Sequence, residues 1–159
     1  MKMSPQQLSR LQFMKRVVHK ECRHLATTDS RLFAAPFTQI QAHQLETDAD
    51  LAERVEAFVG RFSRLQDTLG DKLLPLLLEF LGERPASAID NLDRAERMGW
   101  LTSADEWMII RNLRNQMIHE YVEDLVVLAS ALQAGHTYVP ILIKAADKMI
   151  AEIEERGWA

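Results

Sequence analysis

The sequence predicts an all-α protein, an up-and-down bundle of four or five helices, and three observations carry that expectation. First, 21 Leu and 18 Ala stand against 24 Val, Ile and Thr combined, a balance that favours helices over sheets. Second, only 6 Gly and 5 Pro punctuate the chain, so its helices should be long. Third, apolar side chains recur every three or four residues through most of its length, which is the period of a helix with one buried face. A chain of 159 residues, 47% hydrophobic, reads as a single helical domain over 1–159. A domain of this size can bury roughly 70% of the surface its unfolded chain exposes, enough for a core without a disulfide or a structural metal.

The first helix spans 4–26. Leu8, Leu11, Met14, Val18, Cys22 and Leu25 line one face, Ser4 can cap the first free amides, and Pro5 at the first helical position gives up no ladder bond. The stretch 27–44 mixes Thr27, Thr28, Asp29, Ser30 and Pro36 and reads as a loop with one short helical piece. A long helix follows over 47–81, with Leu51, Val55, Phe58, Phe62, Leu65, Leu69, Leu73 and Leu76 inward. Pro75 should kink it near Lys72, because proline removes a ladder bond and clashes with the turn before it.

A helix over 87–98 is ended by Gly99, with Ile89, Leu92 and Ala95 inward and Asp90, Asp93, Arg94 and Arg97 outward. Ser103 and Glu106 form an S-x-x-E capping box. The helix they open runs through Trp107, Ile110, Leu113, Met117 and Tyr121 and is expected to pass Leu125. Gly135 and Pro140 should separate 125–132 from a final helix that reaches Arg156.

The formal charge is -4, which argues against coating nucleic acid by bulk electrostatics, so any RNA contact must be local. Cys22 is the one cysteine and nothing resembles a secretory signal, so a reducing cytoplasm is expected. The longest apolar run, 73–78, contains Pro75 and is followed by Glu79. A membrane span needs about 20 apolar residues, so no membrane anchor is expected.

The segment 107–121, WMIIRNLRNQMIHEY, places polar residues where a buried stripe should be. At about 100° per residue, with Ile110 at zero, Leu113, Met117, Tyr121, Ile118 and Trp107 fall within about 80° of it. Arg114 falls inside that stripe at about 40°, where an unpaired guanidinium is costly. It therefore needs an anionic partner, an interface or a cleft. Arg111, Asn115 and His119 climb the helix beside it, one turn apart.

Arg114 and His119 lie about 140° apart on an ideal helix. They meet at one phosphate only if the arginine reaches around, the helix distorts, or a second subunit contributes across a twofold axis. Histidine exchanges protons near neutral pH, arginine grips phosphate with a bidentate fork, and asparagine orients either by hydrogen bonding. These groups suffice to cleave RNA without a metal, the 2'-hydroxyl attacking its own phosphate. The bland alternative is that Arg114 pairs with Asp67 or Asp71 and that His119 is simply exposed.

Arg114, four residues, His119, one residue and Tyr121 resemble the R-x(4)-H-x-Y signature of HEPN-domain toxins of the HepT type, and Asn115 matches the polar residue that follows the arginine there. The resemblance implies an HEPN-like bundle that dimerises with itself. It also implies a metal-independent RNA endonuclease of a type VII-like HEPN/MNT toxin–antitoxin pair, needing no cofactor. Its composite site would hold Arg114 and His119 from both subunits, with Asn115 assisting and Arg111 as a supporting RNA or phosphate contact. It implies a cognate minimal nucleotidyltransferase (MNT) antitoxin that adenylylates Tyr121, where added negative charge beside the arginine would repel the RNA backbone. A second member of the resemblance is a non-catalytic HEPN subunit that binds substrate for a nucleotidyltransferase, and a third reading is a purely structural helical dimer.

Other residues admit plainer readings. His19, Cys22 and His24 offer metal-ligand atoms, but positions 19 and 24 diverge by about 140° and no second ligand pair follows, so no metal is expected and Cys22 is read as a small core residue. Asp67, Asp71 and Lys72 read as a solvated charged face or as a contact for 111–114. Trp107 is expected in the core; Trp100 and Trp158 could stack on bases. His43 and His136 fall in expected loops. The apolar 73–81 stretch suits a bundle centre or a dimer surface.

Overall fold

The computed structural model describes residues 3–158, apart from the side chains of Tyr121 and Val122, and every regular element among them is helical. The first helix, α1 (Pro5–Leu32), opens with a full capping box: Ser4 Oγ accepts from the Gln7 amide and Gln7 Oε1 accepts from the Ser4 amide. It runs well past the expected end at 26. Tertiary contacts hold these last turns against weak local periodicity. Thr28 is buried and accepts a hydrogen bond from Arg61 Nη1, and Asp29 Oδ1 lies 2.7 Å from His136 Nδ1. The short helical piece is α2 (Gln39–His43), capped by Thr38 and followed by a single 3-10 turn, Gln44–Glu46.

The expected helix over 47–81 is divided in three. An α-helix, α3 (Ala49–Asp67), passes into a π-helical turn (Thr68–Leu73), and α4 (Leu74–Phe80) completes it. The wide turn ends just before Pro75, where the Leu74 amide bonds back to the Leu69 carbonyl, five residues earlier. Proline has no amide to continue an i to i−4 ladder, and the opened turn absorbs that loss. Its Leu73, Leu74, Leu76, Leu77 and Leu78 are buried within the chain's own core, which settles the 73–81 stretch as bundle centre.

Ser87 caps α5 (Ala88–Arg97), and Gly99 ends that region at φ 79°, a left-handed conformation that glycine adopts without a Cβ penalty. Leu92 and Ala95 are buried as expected, whereas Ile89 is exposed and Asn91 is buried in its place, its amide bridging both backbone groups of Ala86. Ser103 caps α6 (Ala104–Glu123) by accepting from the Glu106 amide. The other half of the expected box is not formed. Instead Glu96, from α5, accepts from the Ala104 amide at 2.7 Å.

Two further boundaries depart from expectation. The helix α6 stops at Glu123, because Asp124 turns to an extended conformation and its carboxylate accepts from the amides of Val126 and Val127, capping α7. The last helix, α7 (Leu125–Glu155), then runs without a break through Gly135 and Pro140. Gly135 is a packing residue rather than a stop: a Cβ there would lie 2.2 Å from Met117 Cε on α6. By length and composition α7 is apolar enough to cross a membrane, a signal that the 73–78 run had hidden. Leu128, Leu132, Leu142, Met149 and Ile153 bury its apolar side in the bundle.

The four long helices alternate in direction. Glu21 meets Thr68 while Thr28 meets Arg61, so α3 runs antiparallel to α1. Arg114 reaches Asp67 while Trp107 lies beside Gly70, so α6 runs antiparallel to α3. Lys15 pairs with Glu154 and Asp29 with His136, so α7 returns along α1. The result is an up-and-down bundle whose centre holds Phe58, Phe62, Leu65, Ile110 and Met117.

Candidate functional site on α6

The helix α6 carries every residue singled out for chemistry, and it is α-helical from Ala104 through Glu123. Its buried stripe holds Trp107, Ile110, Leu113 and Met117. Ile118, expected in that stripe, is exposed. The Tyr121 side chain lies outside the described residues.

Arg114 sits at the groove between α6 and α3. Its Nη2 donates to Asp67 Oδ2 at 2.8 Å and its Nη1 donates to Asn115 Oδ1 at 3.1 Å. The Arg114 side chain is 28% exposed and that of Asp67 37%. Arg114 thus lies at the edge of the buried stripe, and the anionic partner it requires is Asp67, at the C-terminal end of α3. Two of five guanidinium donors are used, and Nε is buried without a partner. One hydrogen on each Nη remains for an incoming anion.

Arg111 and Asn115 are half-buried and His119 is exposed. Five residues of regular helix separate Arg114 from His119, about 7.5 Å of rise and 140° of turn. The unbroken helix removes distortion as a way to join them, and the arginine reaches toward α3.

Asp67, which meets Arg114, stands near two buried polar residues of α3. Ser63, Gln66 and Asp67 stand at i, i+3 and i+4 and so share one side of the helix. Ser63 and Gln66 are buried, and neither Ser63 Oγ nor Gln66 Oε1 has a hydrogen-bond partner. Sequence reasoning passed over both residues. The spacing hid them, since Phe58, Phe62, Leu65 and Leu69 repeat without interruption and the polar residues at 63, 66 and 67 fall beside that set.

Elsewhere the residues fall into structural roles. His19 and His24 are exposed, and Cys22 is half-buried with its thiol pushed up to about 12 by burial, the charges of Asp147 and Glu21 adding to the effect. A thiol held protonated is a poor metal ligand. Glu21 is raised above the ordinary carboxylate value by burial, opposed by the Thr68 hydroxyl that donates to it and by Arg64 and Lys72. Trp158 packs on Phe80, with Arg156 over its ring. His136 lies in α7 rather than a loop, stacked on Phe33 and paired with Asp29.

Compared with protein-family models, with curated proteins and with solved structures, the chain matches none.

Proposed function

We propose that this protein is a metal-independent RNA endonuclease acting as a homodimer, the toxin of an HEPN/MNT pair in the cytoplasm, with a minimal nucleotidyltransferase as its antitoxin. The observation that carries the reading is Arg114: a half-buried arginine, pre-oriented by Asp67 and Asn115, with one donor free on each Nη. The exposed His119 lies on the same helix, beyond the reach of the same phosphate. A partner copy of α6 across a twofold axis supplies the missing histidine, so each composite site takes its arginine and its proton carrier from different chains. Arg114 stabilises the charge that develops on the phosphate, His119 moves the proton, and Asn115 holds the guanidinium through Nη1. Arg111, one turn before Asn115, adds a backbone contact. Adenylylation of Tyr121 by the antitoxin would place negative charge on the same helix and repel RNA.

The Arg114–Asp67 pair and the acidic balance of the chain favour a second reading: a non-catalytic subunit that presents this face to a nucleotidyltransferase. Cleavage of labelled RNA in EDTA, by wild type and by His119→Ala, separates the two. Cleavage by wild type alone, with 2',3'-cyclic phosphate ends, supports the nuclease. Equal inactivity of both proteins overturns it in favour of the partner subunit.

A further inference from the structure

A second cleft opens at the other end of α6, where its first turn meets α7. Trp100, Trp107 and Glu106 form one side and Lys144 and Lys148 the other, around a cavity of about 210 Å³. Trp100 is only 3% exposed, and its indole N–H is buried without an acceptor. An unpaired buried donor costs the fold about as much as a lost hydrogen bond, and native proteins retain few of them.

The two lysines add a second unexplained cost. They stand at i and i+4 on α7, where like charges destabilise a helix, and neither forms an ion pair among the described residues. Against them stands a single carboxylate, Glu106, so the cleft carries a net positive charge beside two indole rings. The first turn of α6 does not contribute, because its amides at Ala104 and Glu106 are already taken by Glu96 and Ser103.

One kind of occupant answers the lysine pair and the apolar lining of the cleft. We infer that the cleft binds a small molecule with an anionic oxygen group, phosphate or carboxylate, on a flat apolar body. The oxygen group bridges Lys144 and Lys148, while the flat body packs against the apolar side of the cleft, beside Trp100 and Ile141. A bound anion would turn the repelling lysine pair into a clamp. This site is independent of the α6 groove at Arg114 and stands whichever function that groove serves.

The test is a titration of the full chain followed by proton–nitrogen correlation spectra, in which Trp100, Trp107 and Trp158 each give one indole signal. Trp107→Phe and Trp158→Phe assign the Trp100 signal by elimination. Phenyl phosphate is the probe, with inorganic phosphate and benzyl alcohol as the separate head and body. The expected result is a saturable shift of the Trp100 signal by phenyl phosphate, weaker by roughly tenfold in Lys144→Ala/Lys148→Ala. Both lysines are exposed, so that variant keeps the fold, which the rest of its spectrum verifies. An unmoved Trp100 signal overturns the inference. So does a shift of equal affinity in the lysine variant, or benzyl alcohol binding as tightly as phenyl phosphate.

Discussion

Replacing Asp67 with asparagine separates what the Arg114 ion pair does for the fold from what it does for the groove. The substitution keeps an acceptor oxygen at the same place and removes only the charge. The pair is close, at 2.8 Å, but about a third exposed on both sides, so solvent screening holds its net contribution to about 1 kcal/mol. For a domain of this size that is a fall in Tm of roughly 2–4 °C. The contribution is measured by a double-mutant cycle with Arg114→Met in urea unfolding, and a coupling energy of about 1 kcal/mol is expected. A coupling below about 0.2 kcal/mol would refute the pairing. The same change frees the guanidinium from its competing anion. A competitor of that strength suppresses phosphate binding by about fivefold, so RNA cleavage by Asp67→Asn at low substrate should rise by about that factor. If cleavage instead falls to the level of His119→Ala, Asp67 belongs to the machinery itself and the competition argument fails.

Two other substitutions test the packing and the electrostatics. Gly135→Ala gains about 1 kcal/mol in helix propensity, yet its Cβ would meet the fully buried Met117 at 2.2 Å and overpacking costs about 1–3 kcal/mol. A net loss near 1 kcal/mol in urea unfolding is expected, and a stabilised variant would show that Met117 repacks freely. For Glu21, burial raises the folded pKa above the ordinary 4.5, so the folded state holds the proton more tightly and stability falls as pH rises through the window above 4.5. Glu21→Gln removes that term while leaving Thr68 an acceptor; its advantage over wild type should grow across the window and then level off. Parallel stability curves for the two proteins would contradict the assignment.

Helix starts were legible at Ser4 and Ser103, whereas the local Asp124 cap that divides α6 from α7 was not read. Ser4 and Ser103 cap as read, and Gly99 stops its helix with a positive φ. Other boundaries failed where a distant residue decides. The turns at 28–32 are held by Arg61 and His136, and Gly135 serves the crossing of α7 over Met117, none of which local propensity records. The same division holds at the site. Arg114 stood out because a charge interrupted an apolar stripe, and one of its two candidate partners was right. Ser63 and Gln66 escaped because they fall beside an apolar stripe that repeats without interruption. Ile89 and Ile118 show the converse, since a helix wheel cannot say which apolar residues find a neighbour.

The polar face of α3 bears on whether this groove was shaped for stability. An ion pair about a third exposed contributes little to holding two helices together, and buried polar atoms without partners work against it. Ser63 Oγ, Gln66 Oε1 and Arg114 Nε are all buried without partners, each at a cost of about 1–3 kcal/mol if left dry. The double substitution Ser63→Ala/Gln66→Leu removes two of these atoms while nearly conserving volume, so the folded state should gain about 1 kcal/mol or more in urea unfolding. If these polar residues help to position Asp67 and Arg114 for a phosphate, the same variant should lose RNA cleavage. A stabilised variant with impaired function means that the polar residues serve the site at the expense of the fold. A destabilised one means that those atoms do find partners in solution, and Ser63 and Gln66 are then ordinary elements of the α3–α6 interface.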